Sequence, residues 1–583
     1  MKKNILLAAI ALLSVSAMAQ ETYDNAEIAS EDLNGTARYV GMGGAMEALG
    51  ADITTMNTNP AGIGLFRRSV ASVSAGVTAT TGNDVRPIAN YDKYKTTNVD
   101  FNQIGFIFST GSSSGVRFNM GFNYHRSRNF NQIINAVGAL DDASASKRSF
   151  MSLASCTAGK GFKPGYNYPY DRKGDPRVDI ISLQDYATDM ALNSSLSAED
   201  GTYYDPVNDE TWYYDSYTAA NMYGASARNS GFINNFDFNF SGSSRNQRVF
   251  WGLTLGLRDV RYNNKSQYDE MLCDVNNVDN GDYNFLNDRR ITGSGFNFKV
   301  GVIFRPIENS PFRVGLYINS PTWYSLTCRG VMKASSYVPS KSIDNYYGEE
   351  YAFRYYTVTP WKFGASLGTT IGSKVALGAT YEFSDYSSIS NRVDDGTVVQ
   401  TAYDFYGPYS YSYERSSVDR VMNDNTKRTL RGVSLLKVGV EIKPAKNVAV
   451  RAGYNYRSAI YKNSGSKNLM IDPSYSTGNM FTTYDFVNWG ATNRITFGLG
   501  FALSEKINLD LSYQYSTQKG EYHPFQNIDA LDMYTNSDRG NNGLYNMNPD
   551  PDSPVYIPAS LYASKFSVKN NRHQANVTLS YKF

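Results

Sequence analysis

Histidine and cysteine are scarce in this chain. Only 3 of its 583 residues are histidines and 3 are cysteines. The histidines lie far apart in the sequence, at His125, His523 and His573. This spacing indicates neither a histidine zinc site nor a Ser-His-Asp triad, and three cysteines allow one disulfide at most. We therefore expect no enzymatic activity, no metal and no cofactor.

An excess of charge and long apolar helices are also missing. The 56 Lys and Arg residues nearly balance the 54 Asp and Glu residues, which leaves a net charge of +2, so nucleic-acid binding is not indicated. After residue 19 no apolar run reaches the roughly 18 residues of a membrane-spanning helix, which excludes a helical membrane protein. Proline is scarce (19 residues), whereas glycine (48) and tyrosine (46) are abundant. This composition favours many strands and turns.

The first nineteen residues have the features of a secretory signal peptide. Lys2 and Lys3 precede an apolar run from Ile5 to Val15, and Ala17-Met18-Ala19 supplies a small-residue cleavage site before Gln20. No cysteine follows that site directly, so a lipid-modified N-terminus is not expected. We assign residues 1–19 to a signal peptide and leave them out of the fold prediction.

From about residue 67 the chain alternates apolar and polar residues with period 2 in segments of about 10 to 16 residues. One example runs from Val116 to Tyr124 and another from Trp251 to Leu257. About fourteen such segments occur, and they predict an all-β, antiparallel transmembrane β-barrel over residues 67–583. The alternative, a soluble β-sandwich, rarely sustains strands this long and regular.

The connections between these segments alternate between short and long. Short turns, such as Gly372 to Lys374, alternate with long polar loops, such as Asn263 to Arg289 and the longest one, residues 131–229. This asymmetry is typical of outer-membrane barrels with short periplasmic turns and long extracellular loops, so we predict the outer membrane of a Gram-negative bacterium. Within the longest loop, apolar residues at helical spacing predict an amphipathic helix, namely Ile180, Leu183, Ala187, Met190 and Ala191. Ser182 and Asp185 are placed in a capping arrangement.

The polar face of the predicted strands indicates what the barrel contains. It carries many glycines, which either leave room for another backbone or only relieve wall curvature. It also carries more cations than carboxylates, so we predict a basic lumen. Seven of these cations are candidate ligands for an anionic amphipathic molecule: Arg258, Lys299, Arg313, Lys362, Lys437, Arg451 and Arg494. The alternative is that they pair with an N-terminal plug or with Glu441 and Asp510.

A glycine-rich stretch, "ARYVGMGGAMEALGADITTMNTNPAGIGLF" from Ala37 to Phe66, precedes the first strand. No predicted strand and helix flank it in the way a nucleotide-binding loop requires, so a phosphate site is not indicated. Glycine tolerates the conformations of a compact coil, and Pro60 can fix a turn.

This stretch and the strands after it resemble the FadL/TodX family of outer-membrane transporters for long-chain fatty acids and other hydrophobic compounds. Further similar segments are "FNFKVGVIFRPIENSPFRVGLYINSPTWYSL" from Phe296, "VTPWKFGASLG" from Val358 and "RAGYNYRSAIY" from Arg451. The resemblance implies that residues 20–66 form a hatch in the barrel lumen. The hatch motif then comprises Gly41, Gly43, Gly44, Asn59, Pro60, Ala61 and Gly62.

The resemblance also implies a passive mechanism. A hydrophobic ligand is captured near the extracellular loops, passes to a lumenal site above the hatch and leaves when the hatch shifts. In the family a kink in strand three opens the wall sideways, and strand three here spans about Val116 to Phe130. The expected partners are a hydrophobic or amphipathic ligand, outer-membrane lipid and the barrel-assembly machinery, whose C-terminal signal the final strand resembles. A monomer is expected, and no nucleic acid.

Three alternatives remain open from the sequence. Barrels of this architecture also serve type IX secretion as docking platforms, and the long Tyr-rich loops would suit surface binding. Tyrosine can ligate haem iron, so the scarcity of histidine argues only weakly against haem. "CDVNNVDNGDYN", from Cys273 to Asn284, misses the EF-hand spacing, which favours an ordinary polar loop over a calcium site.

Overall fold

The structure, a computed structural model, describes residues 21–86, 95–111, 115–149, 183–193, 202–205, 210–213, 217–274, 276–308, 310–404, 407–467, 482–527 and 561–583. The predicted signal peptide lies outside them. The dominant feature is one large antiparallel sheet that closes on itself, because β1 (Val70–Thr81) pairs with β22 (Phe566–Lys582). The predicted 14-stranded barrel is confirmed.

The remaining elements are numbered in chain order. The other strands are β2 Lys95–Gly111, β3 Arg117–Asn129, β4 Gln132–Ala143, β5 Thr202–Asp205, β6 Glu210–Tyr213, β7 Ala219–Ser243, β8 Val249–Cys273, β9 Asp279–Phe304, β10 Arg313–Asn319, β11 Trp323–Val338, β12 Ile343–Val358, β13 Lys362–Ile371, β14 Val375–Asp385, β15 Ser390–Asp404, β16 Gly407–Val418, β17 Gly432–Ala445, β18 Val448–Arg457, β19 Phe486–Ala502, β20 Ile507–His523 and β21 Tyr562–Ala563. The α-helices are α1 Thr22–Ala29, α2 Ala37–Gly41, α3 Leu183–Thr188 and α4 Arg420–Thr429. Short 3₁₀ helices span Ile53–Asn57, Pro60–Leu65, Pro339–Lys341 and Tyr386–Ser388, and a π-helical turn spans Asp189–Asn193.

The barrel wall follows the chain order β1, β2, β3, β7, β8, β9, β10, β13, β14, β17, β18, β19, β20 and β22. Short turns join β13 to β14 and β17 to β18 at the end where Val70 pairs with Lys582. Large apolar side chains are exposed on the outer face of every wall strand, for example Val73, Phe106, Phe118, Phe238, Trp251, Phe296, Leu316, Leu367, Leu377, Leu436, Val450, Phe497, Tyr513 and Leu579. A closed antiparallel barrel with such an apolar outer face is the outer-membrane architecture, which confirms the predicted location.

Several strands are much longer than a membrane requires. A tilted membrane strand needs about 9 to 11 residues, whereas β7, β8 and β9 have 25, 25 and 26. The segment Asn263 to Arg289, which the sequence predicts to be a polar loop, is therefore mostly strand. Gln267, Tyr268, Asp269 and Glu270 are all buried, so this part of the strand lacks the alternation of apolar and polar residues by which a strand is predicted. In the described residues no helix is long and apolar enough to cross a membrane.

The N-terminal segment, residues 21–66, lies inside the barrel. Its local structure is set by polar caps at three helix starts. Thr36 Oγ1 accepts from the Tyr39 N–H, Asp52 accepts from the Thr54 N–H, and Asn59 accepts from the Ala61 N–H. Such caps satisfy backbone donors that have no partner within the helix. Most side chains of the segment are buried against the inner faces of the strands.

The outer half of the interior holds the largest apolar cluster. Tyr23 of α1 stacks there on Tyr461 and lies against Phe486 of β19, and Ala187 of α3 belongs to the same cluster. α3 and the following π-helical turn realise the helix predicted from the spacing of Leu183, Ala187 and Ala191, and both alanines are buried. Met190 is 40% exposed instead, because the wider π-helical turn rotates it off the apolar face. Ile180 and Ser182 lie outside the described residues.

Candidate functional site

The N-terminal segment approaches the wall along a row of glycines. Gly439 pairs directly with Gly378 on one side and with Gly453 on the other. A methyl group on Gly453 would lie 2.2 Å from the backbone nitrogen of Gly43, closer than side-chain carbons come in proteins. The other wall glycines at which a methyl group would meet backbone or side-chain atoms of the segment are Gly105, Gly121, Gly252, Gly301, Gly315, Gly368, Gly378, Gly439 and Gly498.

The wall glycines therefore mark the contact surface between barrel and segment. Of the two interpretations of the inward glycines, room for another backbone is the one the structure supports at these positions. Gly256, Gly364 and Gly500 differ, because a methyl group there would meet side chains of the wall itself.

The hatch motif residues lie at close contacts within the segment or between the segment and the wall. Gly43 and Gly44 have φ of +63° and +79°, which permits the turn after α2. Asn59 lies against Gly301 and Gly315 and donates to the Glu47 carbonyl. The remaining motif residues also lie at contacts, with Gly41 at Gly498, Pro60 and Ala61 at Gly252, and Gly62 at Gly50 and Thr55.

The seven predicted ligand-binding cations all point into the lumen, but each meets a group of the protein. Lys437 binds Glu47 at 2.7 Å, and Lys362 binds Glu31 at 2.9 Å. The other pairs are Arg258 with Glu31 and Asn57, Lys299 with Asp237 and Asn57, Arg313 with the Leu49 carbonyl, Arg451 with Glu441 and Asp510, and Arg494 with Asp32 and Asn455.

Six of these seven cations contact the N-terminal segment directly. Arg451 does so indirectly, because its partner Glu441 also binds Arg38 of the segment at 3.0 Å. An incoming carboxylate would have to compete with these carboxylates, since a buried charge that loses its partner is costly. As placed, these cations hold the segment in the lumen.

Strand three is interrupted where the segment crosses it. β3 ends at Asn129 and β4 starts at Gln132, although both pair with β7. The pairing between β2 and β3 stops at Gln103 and His125. Residues 95–102 of β2 therefore have no strand partner on the side of β3 among the described residues. Strand three is thus interrupted between Asn129 and Gln132, with an opening in strand pairing beside it, and the sequence by itself did not show this break.

Asp32 of the segment lies at this interruption. Its backbone N–H donates to the Ser127 carbonyl at 2.8 Å, as a strand neighbour would. Its carboxylate accepts from Arg128 at 2.8 Å, from Arg572 at 3.0 Å and from the Asn129 N–H at 3.0 Å. Burial alone would raise the pKa of Asp32, but Arg128 and Arg572 outweigh it and hold the pKa well below its usual range.

Arg572 also compensates the backbone at the interruption. Its guanidinium donates to the carbonyls of Asn129 at 2.9 Å and Asn131 at 3.2 Å, which regular pairing with β2 would otherwise satisfy. Arg128 additionally binds Glu27 of α1. One carboxylate and two guanidinium groups therefore connect the N-terminal segment, β3 and β22.

Three arginines of this region, Arg128, Arg457 and Arg572, were missed by sequence reasoning. Arg457 and Arg572 continue the inward alternation of β18 and β22 beyond the predicted strand ends, so a longer reading of the same pattern would have found both. By strict alternation along β3 the side chain of Arg128 would point outward. A register shift between Arg126 and Arg128 accompanies its contact with the lumen. No sequence signal predicts that shift.

Three small polar cavities lie around Glu31 and Asp32. The largest has a volume of about 70 Å³, counted as the space that the centre of a water molecule can occupy. It is bordered by Tyr39, Lys437, Arg457 and Arg494. The others have about 30 Å³ and 20 Å³. A single water needs roughly 10 to 15 Å³, so these spaces hold a few waters and no long chain while the segment is in place.

No family model and no curated protein matches the chain. Solved structures of similar overall architecture include the CymD monoaromatic hydrocarbon channel, the Pseudomonas putida toluene transporter TodX and a Pseudomonas aeruginosa FadL homologue. Each is 10% identical, with a TM-score of 0.45, over 95% of this chain and 99% of the other. At this level of similarity the function has to be argued from the chain's own contacts.

Proposed function

We propose that the protein is a channel-like passive transporter of the FadL/TodX type, which takes up hydrophobic or amphipathic molecules such as long-chain fatty acids across the outer membrane. The ligand is captured at the extracellular end, binds in the lumen and leaves when the N-terminal segment shifts. The observation that carries this proposal is the position of the segment, which fills the lumen and covers the interruption of strand three.

The contacts of the segment suit a plug that can move. Around Asp32 and Glu47 it is joined to the wall by ion pairs, hydrogen bonds and backbone contacts at glycines. Tyr23, Ile28 and Ile53 pack instead into apolar clusters with wall residues, so a shift of the middle of the segment breaks mainly polar contacts. Ion pairs such as Lys437 with Glu47 can exchange partners within a polar lumen. Because the described residues give β2 no strand partner at 95–102 on the side of β3, movement of Asp32 would uncover a sideways passage to the membrane.

Uptake of labelled oleate tests this proposal. We compare cells that carry the protein with cells that lack it, and use a labelled disaccharide as the control for general leakiness. The transporter predicts faster oleate accumulation with unchanged disaccharide entry. Equal oleate uptake in the two strains would refute it.

One feature favours the second candidate, a docking barrel of a secretion system of the type IX kind. β12 pairs with β15 only between Tyr355 and Val358, and above that point the described residues provide no strand partner for its second edge. An unpaired edge can accept a strand from another protein. Loss of surface-attached proteins on deletion of this chain, with unchanged oleate uptake, would support docking over transport.

A further inference from the structure

The charges around the interruption of strand three do not balance. Four guanidinium groups meet there, from Arg128, Arg457, Arg494 and Arg572, and they border one common cavity with Glu27 and Asp32. In the described part of the chain, no acidic group besides these two carboxylates borders the cavity. Two positive charges are therefore in excess within a buried site, and a buried charge without a partner is strongly disfavoured.

Other ion clusters of the lumen are closer to neutrality. Two of them each combine two cations with two carboxylates, namely Arg38 and Arg451 with Glu441 and Asp510, and Arg289 and Lys467 with Glu21 and Asp24. The cluster around Glu31 and Asp237 has three cations for two carboxylates. The excess at Asp32 is thus a local feature and does not reflect a uniformly basic lumen.

Arg457 shows where an additional anion would bind. Its side chain is buried, with 7% of the residue exposed, and it borders both the cavity at Asp32 and the larger one beside it. Its Nη2 reaches Thr492 at 3.4 Å, while Nη1 has no hydrogen-bond partner among the described residues. Arg494 is only 3.9 Å from Asp32, beyond hydrogen-bond distance.

Apolar side chains adjoin these arginines. Phe130 and Tyr262 border the same cavity and stack edge to face, with ring centroids 4.9 Å apart. They belong to an apolar cluster that continues through Ile233 and Val260 towards Tyr355 of β12. A ligand with a charged head and an apolar tail would match this combination, since guanidinium groups bind carboxylates with paired hydrogen bonds.

We propose that Arg457, Arg494, Arg572 and Arg128 form a binding site for the carboxylate of a long-chain amphiphile, and that this carboxylate replaces Asp32. The segment's own carboxylate occupies part of the site in the free protein. When the ligand takes over Arg572 and Arg128, Asp32 loses its partners and the segment is released from the interruption of strand three. This inference rests on the proposed transport function and adds how the ligand opens its own exit.

The competition can be measured on the full mature protein in a neutral maltoside detergent. Laurate is the probe, and dodecanol, which has the same chain without the charge, is the control ligand. We expect Arg457→Gln to lower laurate affinity at least tenfold and to leave dodecanol binding unchanged, whereas Arg457→Lys retains part of the affinity. Arg126→Gln, on the same strand as Arg128, removes the cation of a balanced pair with Asp100 of β2 and is the matched control with unchanged laurate affinity.

Asp32→Asn separates competition from a structural role. If Asp32 competes with the ligand, this variant binds laurate more tightly than the natural protein, and backbone amides of residues 21–40 exchange hydrogen faster even without ligand. In the natural protein, laurate but not dodecanol accelerates the same exchange. Migration as a folded barrel in unheated gels checks that every variant is assembled.

Two results would overturn the inference: unchanged laurate affinity in Arg457→Gln, or equal or weaker laurate binding in Asp32→Asn. Failure of the two proposals can be told apart. Protein-dependent oleate uptake that is insensitive to Arg457 leaves transport standing without this site. Laurate binding that depends on Arg457, without any uptake, leaves the site standing without transport.

Discussion

The row of wall glycines offers the sharpest test of how the N-terminal segment is held. In Gly453→Ala the new methyl carbon would lie 2.2 Å from the Gly43 nitrogen and 2.4 Å from the Met42 carbonyl carbon. Ordinary contacts begin near 3.4 Å, so the segment must retreat by roughly 1 Å. Both atoms belong to backbone, which has no rotamer to adopt, and therefore the segment itself has to move.

Overpacking of this kind costs about 1 to 3 kcal/mol. Since about 1.4 kcal/mol corresponds to a tenfold change in an equilibrium, the ratio of docked to undocked segment should fall by about 5- to 150-fold. The barrel should remain intact, because the substitution changes neither the apolar outer face of the wall nor the pairing of its strands. We therefore expect a selective effect on the segment.

Hydrogen exchange of residues 37–50 measures this effect, and single-channel conductance in planar bilayers gives a second readout. Gly453→Ala should exchange faster in this range and show more frequent openings than the natural protein. Gly111→Ala is the control, since its nearest neighbour, in Arg117, lies 3.4 Å from the new methyl carbon. Identical exchange of residues 37–50 in the two variants would refute the reasoning that the glycines hold the segment.

Three further predictions concern the charges of the lumen. Lys437→Met leaves Glu47 buried beside Tyr39 and Thr380 without its cation, which should destabilise the barrel by about 3 to 5 kcal/mol; urea unfolding followed by tryptophan fluorescence measures this, and a loss below 1 kcal/mol would contradict it. The folded pKa of Asp32 is depressed, so its contribution to stability is present above the ordinary value of about 3.9 and is lost as the pH falls towards the folded pKa. The stability difference between the natural protein and Asp32→Asn should therefore be constant from about pH 5 to 8 and shrink only below about pH 4; a decline already near pH 6 would exclude this assignment. Arg38→Gln removes the segment's link to Glu441, which keeps Arg451 as its partner, so a smaller loss than for Lys437→Met is expected in the same unfolding assay, and an equal loss would show that the segment link dominates.

The barrel was predictable because its signal is local and repeated. Each strand such as β8 or β19 alternates inward and outward residues, and the turns between them alternate in length, so strand number and membrane location follow without knowledge of any contact. The inward glycines left two interpretations open, and the contacts at Gly252, Gly439 and Gly453 support the one in which another backbone approaches the wall. The hatch assignment of residues 20–66 and the lumenal ligand contacts remain predictions that the proposed experiments test.

The predicted basic residues show where local reasoning stops. Alternation places Lys299, Lys437 and Arg451 in the lumen, but which carboxylate each one meets depends on residues hundreds of positions away. Lys437 and Glu47 are one such pair. A count of charges along the wall cannot include the carboxylates that the N-terminal segment brings with it, and the lumen is consequently nearer to neutrality than the strands alone indicate.

The sequence by itself determined an antiparallel barrel of about fourteen strands in the outer membrane and a polar face of its strands that is rich in glycine. Period-2 patterning and composition act over a few residues at a time, which is why they can be read directly. Only the tertiary structure decided that strand three is interrupted at Phe130, that Asp32 lies at that interruption, and that Arg128, Arg457, Arg494 and Arg572 surround it in excess of their carboxylates. These features arise from a register shift and from contacts between distant segments, and no local pattern encodes either of them.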